Sequence, residues 1–111
     1  KMIEEKILCA AIWYKDFPLI KDSEIPNGFI RPLNCDRGIV FSGHRHHNCM
    51  YQMIAISGKY QHEAGEEIQG FLTNKNRFID RKEAFIIANV QNQIIDLKQV
   101  NGNQLFSENL Y

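Results

Sequence analysis

The sequence has little of what usually announces a mechanism. Its 13 Lys and Arg residues are matched by 13 Asp and Glu. No excess of one sign is left to grip a nucleic-acid polymer or an anionic membrane, so any anion must be met by a local cluster. There are only three cysteines, an odd number with no C-x-x-C pair. That argues against a disulfide framework or a zinc finger and for free thiols in a reducing compartment. No signal-peptide pattern is present and no apolar run reaches membrane-spanning length, so a soluble intracellular protein is expected. The G-x-x-x-x-G-K-[ST] loop, the H-E-x-x-H helix and the G-x-S-x-G elbow are all missing. No cofactor is expected. Proline is confined to Pro18, Pro26 and Pro32, which break up the stretch 15–38.

What remains suits a small folded domain. The 111 residues are enough for one domain, 1–111, and the 44% hydrophobic content is enough for a core. KILCAAIWY at 6–14 reads as a largely buried strand, GIVFSG at 38–43 as a short one and EIQGFLT at 67–73 as a third. Between the second and third, His46, Met50, Met53 and Ile54 make a helical stripe over about 44–56, closed by Ser57-Gly58. Asn74-Lys75-Asn76 is a turn. Asp80, with Glu83 three residues later, opens a helix over about 81–93 in a capping-box-like pattern. That helix is so rich in Ala, Ile, Phe and Val that it should be central to the core. The tail LFSENLY should dock. The fold class is α+β: a small antiparallel sheet packed against two main helices.

Two constellations could carry chemistry. In GHRHHNC, His44 and His47, or His46 and Cys49, are spaced to share a helix face, but a metal would need more ligands from His62, Glu63 or Cys35. The same stretch also reads as an anion site. A helix starting after Gly43 presents backbone N–H groups, Arg45 adds a guanidinium fork, and the imidazoles can donate or stack. An ordinary surface helix start with solvated histidines is the plainer account of the spacing. On the second helix, Arg81, Phe85, Asn89 and Asn92 fall along one face. A guanidinium for phosphate, a ring for base stacking and two carboxamides suit an adenine nucleotide; a core phenylalanine with solvated carboxamides is the plainer account. Arg77 and Phe78 lie just before the cap and could join either group. Cys49 with His46 is the only compact thiol–imidazole pair. Glu63, Glu66 and Glu67 cluster in a loop without evident partners.

Taken together, KILCAAIWY, GIVFSGHRHHNCMYQM, QGFLTNKNRFIDRKEAFIIA and LFSENLY resemble the phage anti-Thoeris sponge family, most specifically through GFLTNKNRFIDRKEA. The resemblance spans most of the chain but not the stretch 15–37. It departs at Asn92, where similar sequences carry glycine before the Gln-Ile pair. It implies a phage product acting in the host bacterial cytoplasm and binding glycocyclic ADP-ribose, the cyclic ADP-ribose isomer that signals in Thoeris immunity, without cleaving it. It also implies homodimers that assemble further, pockets built from more than one subunit, and in some members a separate site for cyclic oligonucleotides. Polymeric nucleic acid and membrane are not expected partners. With that ligand, His44, Arg45, His46, Arg77, Phe78, Arg81, Phe85, Asn89 and Asn92 are the candidate binding residues. Arginines would take the pyrophosphate and Phe78 or Phe85 the adenine. The alternative is a small nucleotide-processing enzyme using the His44/His46/His47 cluster.

Overall fold

The computed structural model describes residues 4–17, 31–58, 65–96 and 102–111. Four strands form one antiparallel sheet: β1 (Ile7–Tyr14), β2 (Ile39–Gly43), β3 (Glu67–Thr73) and β4 (Phe78–Asp80), in the order β2-β1-β3-β4. Helix α1 (His46–Ser57) connects β2 to β3, and α2 (Arg81–Val90) follows β4 directly. A short 3-10 turn, Ser107–Asn109, lies in the C-terminal segment. The fold is α+β.

Side chains alternate across a strand, so β1 serves both faces of the sheet. Ala10, Ile12 and Tyr14 join Phe41, Phe71 and Ile79 beneath Cys49 and Met53 of α1, Ala84 and Ala88 of α2, and Leu105. Both helices and the C-terminal segment therefore share one face. Ala11 and Trp13 point the other way, against Cys35, Val40, Ile68, Leu72 and Phe78. A register shift between Ile7 and Cys9 returns Ile7 to the helical face and leaves Leu8 exposed. Phe71 is fully buried at the centre of the helical face; burying such a side chain contributes about 1.5–3 kcal/mol. Gly70 is required by close approach: a Cβ there would sit 2.0 Å from the Ile79 carbonyl oxygen of the neighbouring strand.

Side chains finish the sheet where backbone partners run out. Gln93 brackets Ile7, accepting from its N–H and donating to its carbonyl, both at 2.9 Å. Asn34 does the same for Phe78 on the edge strand β4. Through Asn34 and Cys35, residues 31–38 pack on the face opposite the helices; Pro18, Pro26, Ile25, Phe29 and Ile30 lie outside the described residues.

Several expectations change. Helix α1 begins at His46, not His44, because Arg45 is its extended N-cap residue, with its N–H held by Asn48 Oδ1 at 3.0 Å. Arginine has no acceptor, so only this half of a capping box exists. Gly58 closes α1 in the left-handed conformation, its N–H on the Ile54 carbonyl. Helix α2 ends at Val90 rather than near 93, since Asn92 turns left-handed at φ 55° and the Gln93 N–H reaches back to Ala88. Nor is α2 central to the core: Ala84 and Ala88 face inward, while Ile86 and Val90 are 63% and 71% exposed. Asp80 caps α2 by accepting from Lys82 and Glu83 N–H, but the Glu83 carboxylate turns to Arg77. Strand β4 was not expected, because a three-residue run has too little periodicity to read.

Candidate functional site

The starts of both helices come together over the middle of β3. The chain leaves β2 at Gly43, and Asn48 fixes the turn into α1, so His46 enters on the first turn facing the sheet. Its Nε2 lies 2.7 Å from the Gly70 carbonyl, and its ring meets Phe71 edge-on at 5.1 Å. A carbonyl can only accept, so Nε2 carries the proton. Burial, and secondarily the Arg81 charge, pull the His46 pKa down to about 4, so the ring is neutral at pH 7.

Arg81 opens α2 across the same strand. Its guanidinium donates to Gln69 Oε1 at 2.6 Å and to the Leu105 carbonyl at 2.8 Å, and lies 4.3 Å from the centre of the Phe106 ring. The Leu105 N–H returns a bond to the Arg81 carbonyl, so the C-terminal segment is stitched to the start of α2. Arg45 approaches from α1. Its Nη2 donates to the Tyr111 backbone oxygen and its guanidinium sits 5.2 Å from the Tyr111 ring. Its Nη1 is buried and has no hydrogen-bond partner among the described residues. His44 stacks on Tyr111 at 4.6 Å. Beside Arg81, a cavity of about 410 Å³ is lined by Gln69, Asp80, Lys82 and Gln104, among others; small-ligand pockets begin near this size.

The candidates thus fall into two sets. His44, Arg45, His46 and Arg81 are brought together at this junction, while the others lie elsewhere. Arg77 is held by Glu5 through two bonds of 2.8 and 3.0 Å and by Glu83 at 2.6 Å. Phe78 is buried on the opposite face of the sheet. Phe85 is half-buried against the main core. Asn89 is exposed near the far end of α2, and Asn92 lies beyond it in a turn.

The three histidines point three ways: His44 to Tyr111, His46 to Gly70, and His47 outward to Tyr51. Among the described residues, no three His, Cys, Asp or Glu side chains converge as a metal site. His62 and Glu63, which a metal or an acidic cluster would have drawn on, lie outside the described residues. Cys49 is buried with its thiol near the Ala10 and Arg45 carbonyls, and burial pushes its pKa up to about 12. It is a protonated core thiol rather than the partner of His46.

Sequence reasoning missed Gln69, Phe106 and Tyr111. Gln69 carries no local signal. The two rings of LFSENLY were a signal for docking, but nothing near them in sequence points to Arg81 or Arg45.

Residues 6–111 match the family model described as phage T4 y16D protein. The chain belongs to the phage T4 y16D protein family. The match starts just before β1 and runs through both helices to Tyr111, so every residue of the junction falls within the family's extent. Membership in the y16D family makes this chain one of a phage protein family. No functionally curated protein and no solved structure matches the chain.

Among the described residues, no helix is long and apolar enough to cross a membrane.

Proposed function

We propose that the chain is a phage sponge that captures glycocyclic ADP-ribose, or a close cyclic ADP-ribose isomer, in the host bacterial cytoplasm and withholds it from Thoeris immunity. The observation that carries this reading is the state of its two junction arginines. Arg45 and Arg81 are fixed in place by hydrogen bonds to the Tyr111 and Leu105 backbone oxygens and the Gln69 amide oxygen, with the exposed Glu108 carboxylate acting on both from nearby. An incoming anion can compete with Glu108 for them, and Nη1 of Arg45 has a bond to gain. Rings at His44, Phe106 and Tyr111 supply stacking surfaces for a base.

Binding without turnover also suits the histidines better than the enzyme alternative. His46 is neutral and committed to the Gly70 carbonyl, while His44 and His47 are on separate surfaces. A proton-transfer pair would need two of them to face one reacting atom. Self-association belongs to the same reading, with a partner subunit completing the pocket and burying more of the ligand.

The test is capture and release. Purified protein is mixed with glycocyclic ADP-ribose, freed of unbound ligand and heat-denatured, and the released compound is identified. Intact messenger at close to one per site is the expected result. A chemically altered product would replace the sponge with an enzyme, and no capture would remove this ligand.

A further inference from the structure

Strand β3 alternates, so Glu67, Gln69 and Phe71 face the helices while Ile68 faces the other way. An acid and an amide thus stand two residues apart on one face, and it is the amide that meets Arg81. Gln69 Oε1 accepts from Arg81 Nη2 at 2.6 Å, and Gln69 Nε2 lies 3.5 Å from Glu67 Oε1. The amide has one workable orientation, because a guanidinium only donates and an ionised carboxylate only accepts. Glu67 itself pairs across the sheet with Tyr14 of β1, whose hydroxyl pKa is pushed up by burial first and then by this carboxylate.

At the other end of β4, Arg77 shows what a bonded carboxylate does to such a guanidinium: Glu5 forks it and Glu83 adds a third bond. Glutamine and glutamate differ only by an NH2 group in place of an oxygen. A glutamate at position 69 would therefore fill the space of the amide and bring a full charge within hydrogen-bond distance of Arg81. Glu67 would repel that charge and direct it towards the guanidinium. Arg81 is also anchored by the Leu105 carbonyl and the Phe106 ring. Holding Arg81 in place does not require an amide at position 69; leaving it without a bonded carboxylate does.

We propose that Gln69 is a positioning residue that keeps Arg81 open to anions, its neutral amide fixing the guanidinium where a carboxylate would close it. The effect on capture rests on the nucleotide-binding reading of the junction; the effect of position 69 on Arg81 does not. Gln69 and Arg81 line the same cavity, together with Gln104. Gln104 is exposed and supplies the control: a charge placed there shares the cavity without taking the place of the amide on Arg81.

Two measurements on the full chain test this. Capture of glycocyclic ADP-ribose should fall by about tenfold or more in Gln69→Glu, but by less than about fivefold in Gln69→Leu. Gln104→Glu should cost less than about threefold, because an exposed charge is screened. A tether alone would give the reverse order, since glutamate would hold Arg81 and leucine would not. Leucine costing more than glutamate, or Gln104→Glu costing as much as Gln69→Glu, would overturn the proposal. Phenylglyoxal labelling, mapped by mass spectrometry, reads Arg81 with no nucleotide present. The reagent attacks the deprotonated guanidine, so a bonded carboxylate should slow Arg81 by about threefold or more in Gln69→Glu, with the exposed Arg37 as an internal standard. An unchanged Arg81 rate would overturn the proposal. Slowed labelling with no capture by any form, wild type included, would keep Gln69 as the residue that holds Arg81 open and reject the nucleotide instead. Should Gln69→Glu fail to fold, Gln69→Leu decides: a loss of capture beyond about tenfold makes Gln69 a tether.

Discussion

Arg77 and Arg81 flank the same three-residue strand, and their surroundings are opposite. Arg77 meets two carboxylates, Glu5 by a two-bond fork and Glu83 by a third bond. Those partners push its pKa up, and it depresses that of Glu5 in return. Arg81 meets an amide oxygen, a backbone carbonyl and an aromatic ring, and burial pulls its pKa down. Arg77 ties residue 5, ahead of β1, to the first turn of α2. It has no net charge left to offer a ligand. Arg81 is positioned as firmly, but by uncharged hydrogen-bond partners, with the Glu108 carboxylate acting on it only through its field. Two arginines that look interchangeable in RFIDR are a structural tie and a candidate ligand contact, and the difference lies in what the rest of the chain brings to each.

The sharpest way to test this contrast is to remove each charge in turn. Arg45→Ala with Arg81→Ala should weaken capture of glycocyclic ADP-ribose by about 100-fold or more, since each charge-assisted bond contributes about 1.5–3 kcal/mol. Arg77→Ala should leave capture unchanged within about twofold. Equal losses in titration calorimetry would erase the distinction between the two arginines.

Stability should reverse that order. Arg77→Ala strands the half-buried Glu5 carboxylate and should cost about 2–3 kcal/mol in urea unfolding, more than a surface ion pair, which contributes about 0–1 kcal/mol. A cost inside the surface range would mean the fork ties nothing together.

Acid titration sharpens the comparison further, because the two clusters respond in different windows. The folded His46 pKa is depressed to about 4 from the ordinary imidazole value of 6.5. As pH falls through that interval the unfolded chain takes up a proton that the folded chain refuses. Stability should therefore decline from pH 6.5 towards 4 and the decline should flatten in His46→Asn. The folded Glu5 pKa is lowered from 4.5, mainly by Arg77. Its contribution is complete above 4.5 and lost as pH falls below it; Arg77→Ala should flatten only that lower limb. Urea midpoints across pH 3–7 check both, and a single slope common to all three proteins would sink the assignment.

The smallest effect is expected at Asn89. It is exposed near the end of α2 away from Arg81, so Asn89→Ala should change stability by no more than about 0.5 kcal/mol. Capture should be unchanged. A clear loss of capture would extend the site along the helix and restore the face drawn from Arg81 through Asn92.

Much of the scaffold was legible because it is written locally. The strand Glu67–Thr73, the Asp80 cap and the Gly58 stop depend on alternation, a side-chain oxygen beside free N–H groups, and a left-handed residue. The helix ends near His44 and Gln93 were misread because the deciding contacts are distant or lie in the conformation of single residues. Gln93 leaves the helix to bracket Ile7, 86 residues away in the chain. The exposure of Ile86 and Val90 was hidden for a related reason: composition shows how much apolar surface a helix carries, not how much the neighbouring sheet can cover.

By itself, the sequence determined the α+β class, a chain without surplus charge, and the residue types available to meet an anion. These follow from composition and short-range periodicity, which survive whatever the far parts of the chain do. Only the tertiary structure decided which arginine is neutralised, which histidine is buried, and that Phe106 and Tyr111 belong beside Arg81 and Arg45. What a charged side chain meets is decided by whatever folds to within a few ångströms of it. For Arg77 that neighbour is the Glu5 carboxylate, and for Arg45 it is the backbone oxygen and ring of Tyr111, 66 residues further along the chain.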